Sequence, residues 1–484
     1  MGPRLASFSE LWLFKAAATG EMHIHLADIC SKYGGSNSAG LVRVGPNELI
    51  SSDPDVGRHM SATKVKRRKG QWYASMKVDP YVDNIFSQLD PVKHDKLRAC
   101  MSQAFLMKEN PHLSLKIDGS IASFVNLIQR KYLSTSENAR PIDLGLVSQY
   151  FSLDVITAIA FGAPLGYLDN DQDLFGYVKT TDAILPFVTL CSSSPSLGWF
   201  MSQAWVTNLV GPSPQDKTGQ GVLMALAQKY VGERYGSDSD DKQDMVSLFL
   251  RNGMSRRQVE SEILAQMSSM FCTSFAGSDT TSTAVRSIFL FIISNPRVYA
   301  LLQAEIDDRI RNKRISSPIT DDEARDMPYL QACIQEGLRI WPPFTGMMFK
   351  QVNPGGEVIK GTFVPGGTAV DANFEYKGHC GWGMQRGPEF GNDVEVFRPE
   401  RWIEANQDQR KIMDRTVDIV FGSGRWACLG KAIVRAELNK VFVELLRRFD
   451  MSVVDPSKPW DSKNYTVFVQ NKMWVRITER KSFG

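Results

Sequence analysis

Residues 421–430 read Phe421-Gly422-Ser423-Gly424-Arg425-Trp426-Ala427-Cys428-Leu429-Gly430. One cysteine stands among three glycines, immediately ahead of a stretch with helical spacing. The glycines let backbone N–H groups turn toward a sulfur with no Cβ in the way. A helix beginning at the cysteine adds aligned N–H donors and the positive end of a dipole, and both favour the thiolate. The stretch reads as a device for holding a metal through one sulfur, with Cys428 as the ligand. The helix is expected to run from Cys428 to about Phe449, with Leu438, Val441, Phe442, Leu445, Leu446 and Phe449 forming one apolar stripe.

Working outward, the chain of 484 residues is 43% hydrophobic and 23% charged, values of a soluble globular protein. A net charge of +3 is too small to argue for nucleic acid, and no aromatic-interleaved basic stripe appears. The seven cysteines are scattered and lack a Cys-x-x-Cys pair, which argues for reduced thiols in a cytosolic setting. The six histidines lack zinc-ligand spacing. From about Pro91 to Ile310 most segments show helical spacing. Leu41-Val42-Arg43-Val44 alternates as a short strand, followed by a turn at Gly45-Pro46-Asn47. Strand patterns return between Gly346 and Asp371 and again over Thr466–Ile477. No repeat or long linker divides the chain, so one large, mostly helical domain with small β regions is expected.

Two further segments carry chemistry. Ala276-Gly277-Ser278-Asp279-Thr280-Thr281 falls in the middle of the apolar stretch 263–294, which reads as a buried core helix. Gly, Ser, Asp and Thr are poor residues for a helix interior, and such local rule-breaking often marks a functional site. Gly277 lets a ligand approach the backbone, and Asp279 beside Thr280 sets an acid next to an alcohol. That pair can pass protons from solvent to dioxygen whose O–O bond is to be broken. The alternative is a polar patch where two helices pack closely. The second segment is Glu336-Gly337-Leu338-Arg339, whose acid and base share a helix face before Trp341-Pro342-Pro343 stops the helix. Taken alone it is an ordinary surface pair. Arg401, in Phe397-Arg398-Pro399-Glu400-Arg401-Trp402, can complete a buried Glu–Arg–Arg cluster.

In this order the segments resemble the cytochrome P450 superfamily, over nearly the whole chain. The cysteine loop with Glu437-Leu438-Asn439-Lys440 and Glu444-Leu445-Leu446-Arg447-Arg448-Phe449 is similar to the filamentous-fungal, pisatin demethylase-like branch. The resemblance implies a mainly α fold with small β-sheets (α+β), as a single domain over 1–484. Haem b, iron protoporphyrin IX, would lie between a long central helix and the cysteine loop. Cys428 would be the metal ligand, and its thiolate would push electron density onto the iron. Phe421 would pack near the sulfur, Gly422 would shape the loop, and Gly430 would let the next helix approach the porphyrin. Ala276 and Gly277 would line the oxygen pocket, with Asp279 and Thr280 delivering protons. Glu336, Arg339 and Arg401 would form the structural cluster. His94 and Arg98, four apart, would contact the haem propionates; without the resemblance they read equally as an amphipathic surface turn.

Three departures from the family pattern stand out. Trp426 occupies the place, two before the cysteine, where a base is usual, so Arg425 or the tryptophan N–H would serve the propionates. The polar stretch Gly34–Gly40 reads as a flexible loop and is longer than usual. Residues 373–380 add length ahead of Phe397.

The resemblance also implies substrate contacts from Trp72, Tyr73, Tyr81, Phe86, Phe344, Met347, Met348 and Phe468, an apolar, adaptable set. For any one of these residues a plain core role is the commoner reading. With no flavin or nicotinamide segment, electrons would come from NADPH-cytochrome P450 reductase, steered by Lys96, Arg98, Lys431, Arg435, Arg447 and Arg448. The expected activity is insertion of one atom of O2 into a lipophilic small molecule, a fungal secondary metabolite or plant-derived compound, by hydroxylation or O-demethylation. The alternatives are a haem-thiolate isomerase or dehydratase that does not use O2, and a non-catalytic haem protein. The apolar cluster at Leu11-Trp12-Leu13-Phe14 is too short to span a bilayer, so the chain itself reads as soluble. If the native protein carries a membrane anchor missing from this sequence, it would sit on the cytosolic face of the endoplasmic reticulum membrane, with peripheral membrane contact; otherwise the N-terminus reads as a plain soluble start.

Overall fold

A carboxylate followed by proline opens the first helix that matters for the site. Asp90 Oδ1 accepts from the N–H groups of Val92 (2.8 Å) and Lys93 (3.0 Å), and Pro91 takes the position where no N–H is needed. The helix, α1, runs Pro91–Ser102. The structure is a computed structural model describing residues 2–107, 110, 112–235, 243–267, 277–366 and 378–480.

Helix α2 (Leu144–Phe161) is capped by Asp143 and ended by Gly162 in the left-handed region (φ 92°). It has the length and apolarity of a membrane span, yet nearly all of it is buried in the core. Helix α3 (Tyr177–Ser193) follows, then α4 (Arg256–Met267) and α5 (Asp279–Ile293). The expected continuous helix over 263–294 is thus two described helices. Gly277 and Ser278 form a turn ahead of α5, consistent with their poor helix propensity, and the Gly277 N–H donates to Gln266 O at 3.1 Å. Ala276 lies outside the described residues. Helix α6 (Pro328–Ile340) packs on α5, and Gly337 makes the close approach: a Cβ there would stand 2.2 Å from Ile288 Cγ1. Helix α7 (Lys431–Leu446) begins three residues after Cys428, not at it, and Phe449 opens a strand instead of closing the helix.

The strands are few and short. Leu41–Arg43 pairs antiparallel with Leu49–Ser51, which pairs parallel with Gly378–His379. Trp474–Glu479 lies antiparallel between Ile142–Asp143 and Phe449–Val453. Two hairpins, Glu357–Ile359 with Thr362–Val364 and Asp461–Tyr465 with Val467–Asn471, complete the described set. One hydrophobic core runs from Val78 to Ile477. Within Gly34–Gly40 the chain makes a short helical turn, and Asn37 ties it down: Oδ1 accepts from Ala39 N (3.2 Å) and Leu41 N (2.9 Å). Of the second insertion, residues 373–377 lie outside the described residues, and Cys380 is buried in a satellite core with Cys30.

Candidate active site

The loop that carries Cys428 is built around two positive-φ glycines. Gly422 has φ 70°, and a Cβ there would press on Trp426 O at 2.8 Å; Gly424 has φ 56°, and a Cβ would meet Ser61 O at 2.1 Å. The turn closes with Cys428 N–H donating to Phe421 O at 2.7 Å. The sulfur in turn accepts from the backbone N–H groups of Gly430 and Lys431. A Cβ at Gly430 would lie 3.8 Å from Sγ, an ordinary contact distance. Phe421 packs on the start of α7, with Lys431 Nζ and Arg435 over its ring. The expectation that this setting lowers the thiol pKa is reversed. Burial pushes it up, and the two N–H groups with the Arg98 and Lys431 charges offset only part of that. The cysteine nevertheless keeps accessible surface. Protein surrounds it, so that surface opens inward.

Helix α1 lies against the same loop. Arg98 Nη1 donates to Ala427 O (2.5 Å), and the His94 ring packs on Trp426 with centroids 4.3 Å apart. Burial and the nearby Lys69, Arg98, Arg425 and Lys350 push the His94 pKa down to about 2, so the ring is neutral. Its 3.5 Å approach to Asp95 is therefore not a charged pair, and its buried Nδ1 has no hydrogen-bond partner among the described residues. Arg425 bonds to Asp95 and to Thr63 O (2.8 Å), leaving a buried Nε without a partner among the described residues.

At the start of α5, Asp279 is buried, and burial raises its pKa. Its Oδ1 accepts from Gln149 Nε2 of α2, while Gln149 Oε1 accepts from Ser282 Oγ (2.5 Å). Among the described residues Asp279 Oδ2 is buried with no partner, and Thr280 beside it is half-buried. Gly277 packs against α2, where a Cβ would stand 2.9 Å from Ile156 Cγ1. Gln149 was not legible from sequence, because nothing local ties a glutamine in α2 to an aspartate in α5.

The Glu336–Arg339–Arg401 cluster is assembled and buried. Glu336 accepts from Arg339 Nε and Nη2 (both 2.8 Å), Arg401 Nε (2.9 Å), Trp402 Nε1 (2.9 Å) and the N–H of Arg398 (3.0 Å). The arginines spend their remaining donors on the carbonyls of Gln385 and Val396 and on Asp393. Trp402 and Asp393 thus join the cluster beyond the three residues expected from the sequence.

Other expectations fared unevenly. Trp72, Tyr73, Phe86, Phe344, Met347, Met348 and Phe468 are buried or half-buried, and Trp72, Phe86 and Phe344 stack edge to face. Tyr81 is exposed instead, with Arg257 over its ring. In the basic set, Arg447 and Arg448 bond to Glu444 at the far end of α7, about 24 Å from Lys431 at 1.5 Å per residue. Lys431 pairs with Asp418 (2.9 Å), and Arg98 points into the loop, which leaves Lys96 exposed.

The donor set fits a metal that brings most of its own ligands. One sulfur faces inward, and no group of three metal-binding side chains exists among the described residues. A mainly helical body offering a single sulfur from such a loop defines a haem-thiolate protein. Residues 12–476 match the cytochrome P450 family, and the chain belongs to it. It is 39% identical to cytochrome P450 monooxygenase ABA1 of Pyricularia oryzae, over 99% of this chain and 92% of that one. It is 36% identical to cytochrome P450 monooxygenase aba1 of Botryotinia fuckeliana, over 98% and 90%. It is 28% identical to pisatin demethylase of Fusarium vanettenii, over 99% and 88%. The protein is an oxidoreductase of the P450 monooxygenase class. Its family's cofactor is haem, and the class needs an electron-supplying partner, O2 and a lipophilic substrate.

Proposed function

We propose that the chain hydroxylates a lipophilic small molecule, a fungal secondary metabolite or plant-derived compound. O-demethylation would follow from hydroxylation of a methyl group next to oxygen. The observation that carries this reading is the inward-facing Cys428 sulfur, held by the N–H groups of Gly430 and Lys431. Haem supplies the reductive activation of O2 and the oxygen transfer. Cys428 would hold the metal, and His94, Arg98 and Arg425, which lie around the same loop, would help to hold the cofactor. Asp279 holds or gives up a proton at Oδ2, which has no partner among the described residues, and the Thr280 hydroxyl passes protons on toward the oxygen pocket. Buried Trp72 and Phe468, with half-buried Phe344, exclude water and orient an apolar substrate. The main core, which runs from Val78 to Ile477, supports reading the chain as one domain. Electrons come from NADPH-cytochrome P450 reductase, docked near Lys96 and Lys431.

Apolar side chains support a peripheral contact with the cytosolic face of the endoplasmic reticulum membrane. Phe8 and Leu11 share a groove with Ser194 and Leu197, and exposed Phe200 packs on exposed Trp205.

The test is the reduced protein under carbon monoxide. Absorbance at about 450 nm is expected for the wild type and is lost in Cys428→Ala. A wild type that binds haem without that band overturns the reading.

A further inference from the structure

Two cysteines far apart in the chain meet in a satellite core. Cys30 stands on the helix Met22–Tyr33, and Cys380 follows the short strand Gly378–His379. They are 4% and 2% exposed, both are free among the described residues, and their thiols are hydrogen-bond partners. The backbone of Cys380 is fixed on both sides: its N–H donates to Ser51 O (3.1 Å) and its carbonyl accepts from Met384 N–H (2.9 Å). His23 lies about two turns before Cys30 on the same helix face and packs edge-on against Trp382, with centroids 4.5 Å apart. The helix thus meets the segment 378–384 at two points, and the ring contact holds the sulfur contact in register. The space around the sulfurs is tight, since a Cβ at Gly383 would stand 3.0 Å from Cys380 Sγ and 3.1 Å from Ser52 Cβ.

The two sulfurs are not equivalent. The bond to Cys380 and burial push the Cys30 thiol up, which keeps Cys30 protonated. A hydrogen bond that raises an acid is one the acid donates, so the Cys30 S–H is directed at the Cys380 sulfur. The Arg386 guanidinium is close enough to interact with a charge on Cys380. A thiolate at Cys380 therefore meets a cation and an S–H donor, and a second sulfur waits beside it. That is the setting of an oxidisable cysteine with its resolving partner.

We infer that Cys30 and Cys380 form a modification site, a dithiol that hydrogen peroxide closes into a disulfide between the helix Met22–Tyr33 and the segment that carries Trp382. The Cys380 thiolate attacks one oxygen of the peroxide, the O–O bond breaks, and a sulfenic acid and hydroxide form. The hydroxide takes up the proton that Cys380 released. The Cys30 sulfur then attacks the Cys380 sulfur, the S–O bond breaks, and the Cys30 proton leaves with the hydroxyl as water. The dithiol gives up two electrons, the peroxide accepts both, and two waters result. Burial slows the oxidant's access, so the site responds to sustained peroxide and not to a brief pulse. The bond would also fix Trp382, which packs on Trp341 (5.1 Å) and on Phe468 (6.3 Å).

The experiment treats the reduced holoprotein with hydrogen peroxide, stops the reaction with catalase and blocks the remaining thiols with iodoacetamide. Peptide mass mapping of the wild type without reductant should find the Cys30 and Cys380 peptides joined, and dithiothreitol should release them. The oxidised protein should melt a few degrees higher than the reduced one, because the bond closes a very long loop, and dithiothreitol should erase the difference. Cys30→Ser should leave Cys380 as a sulfenic acid that dimedone labels, and Cys380→Ser should leave Cys30 unlabelled. Peroxide should raise the melting temperature of neither variant. Free thiols at both positions after treatment overturn the site. So do a cross-link from either residue to another cysteine, and Cys380 found in the wild type only as sulfinic or sulfonic acid. A dimedone label on Cys30 in Cys380→Ser overturns the assigned order of attack. The mapping needs only the wild type, so a variant that fails to fold leaves the site open to refutation.

Discussion

Arg401 Nε donates to Glu336 Oε1 at 2.9 Å across an interior from which both side chains exclude water. The same carboxylate serves Arg339, Trp402 and the backbone of Arg398. One carboxylate thus ties α6 to the segment leading toward the cysteine loop. Removing it strands the Arg339 guanidinium and leaves Arg401 with Asp393 alone, and the cost of breaking such a buried pair is about 3–5 kcal/mol. Glu336→Gln should therefore lower the urea midpoint of unfolding and yield protein poor in haem. A variant with a wild-type midpoint would show the cluster to be energetically idle.

Gly337 and Ile288 make a second, purely steric contact. Gly337→Ala places a Cβ 2.2 Å from Ile288 Cγ1 and should destabilise by about 1–3 kcal/mol. Adding Ile288→Ala should recover part of that loss, since the two changes share one space. Additive costs in denaturant melts would mean that the helices relieve the clash by shifting apart.

Proton delivery can be tested at two neighbouring positions. Thr280→Ala should leave the carbon monoxide spectrum intact while less product and more hydrogen peroxide form per NADPH consumed. Asp279→Asn should slow turnover about a hundredfold and enlarge the solvent deuterium isotope effect. Unchanged coupling in Thr280→Ala removes the threonine from the path.

Glu437, on the buried side of α7, gives a pH signature. Burial raises its pKa to about 8, against 4.5 for the free side chain. Below the lower value both folded and unfolded chains hold the proton, and Glu437 contributes no pH dependence. Between the two values the unfolded chain releases a proton that the folded chain keeps. Stability therefore falls as pH rises through this window and levels off above it, at about 1.4 kcal/mol per pKa unit. Glu437→Gln should be nearly neutral at pH about 4 and clearly stabilising at pH about 8. Parallel stability curves for the two proteins would place the burden on another group.

What the sequence made legible follows from how local each signal is. The cysteine loop and the Glu336–Arg339 pair are short motifs whose geometry follows from neighbouring residues, and the structure builds both. The start of α7 was placed too early, because Gly430 and Lys431 direct their N–H groups to the sulfur before the helix is under way. The thiol pKa was read in the wrong direction, since desolvation depends on everything packed around Cys428 and no window of sequence contains it. The Gln149 bond to Asp279, Asp393 beside Arg401 and the Lys69–Lys350 bridge are all long-range pairings. Neither partner of such a pairing announces the other in a single sequence.

Helix α2 is as oily as a lipid-crossing segment, and its shelter includes α5, which is synthesised well after it. A growing chain must carry that sticky rod unprotected until its later neighbours emerge. Chains that stop short of residue 279 should consequently clump and be degraded, rather than persist as partly working fragments.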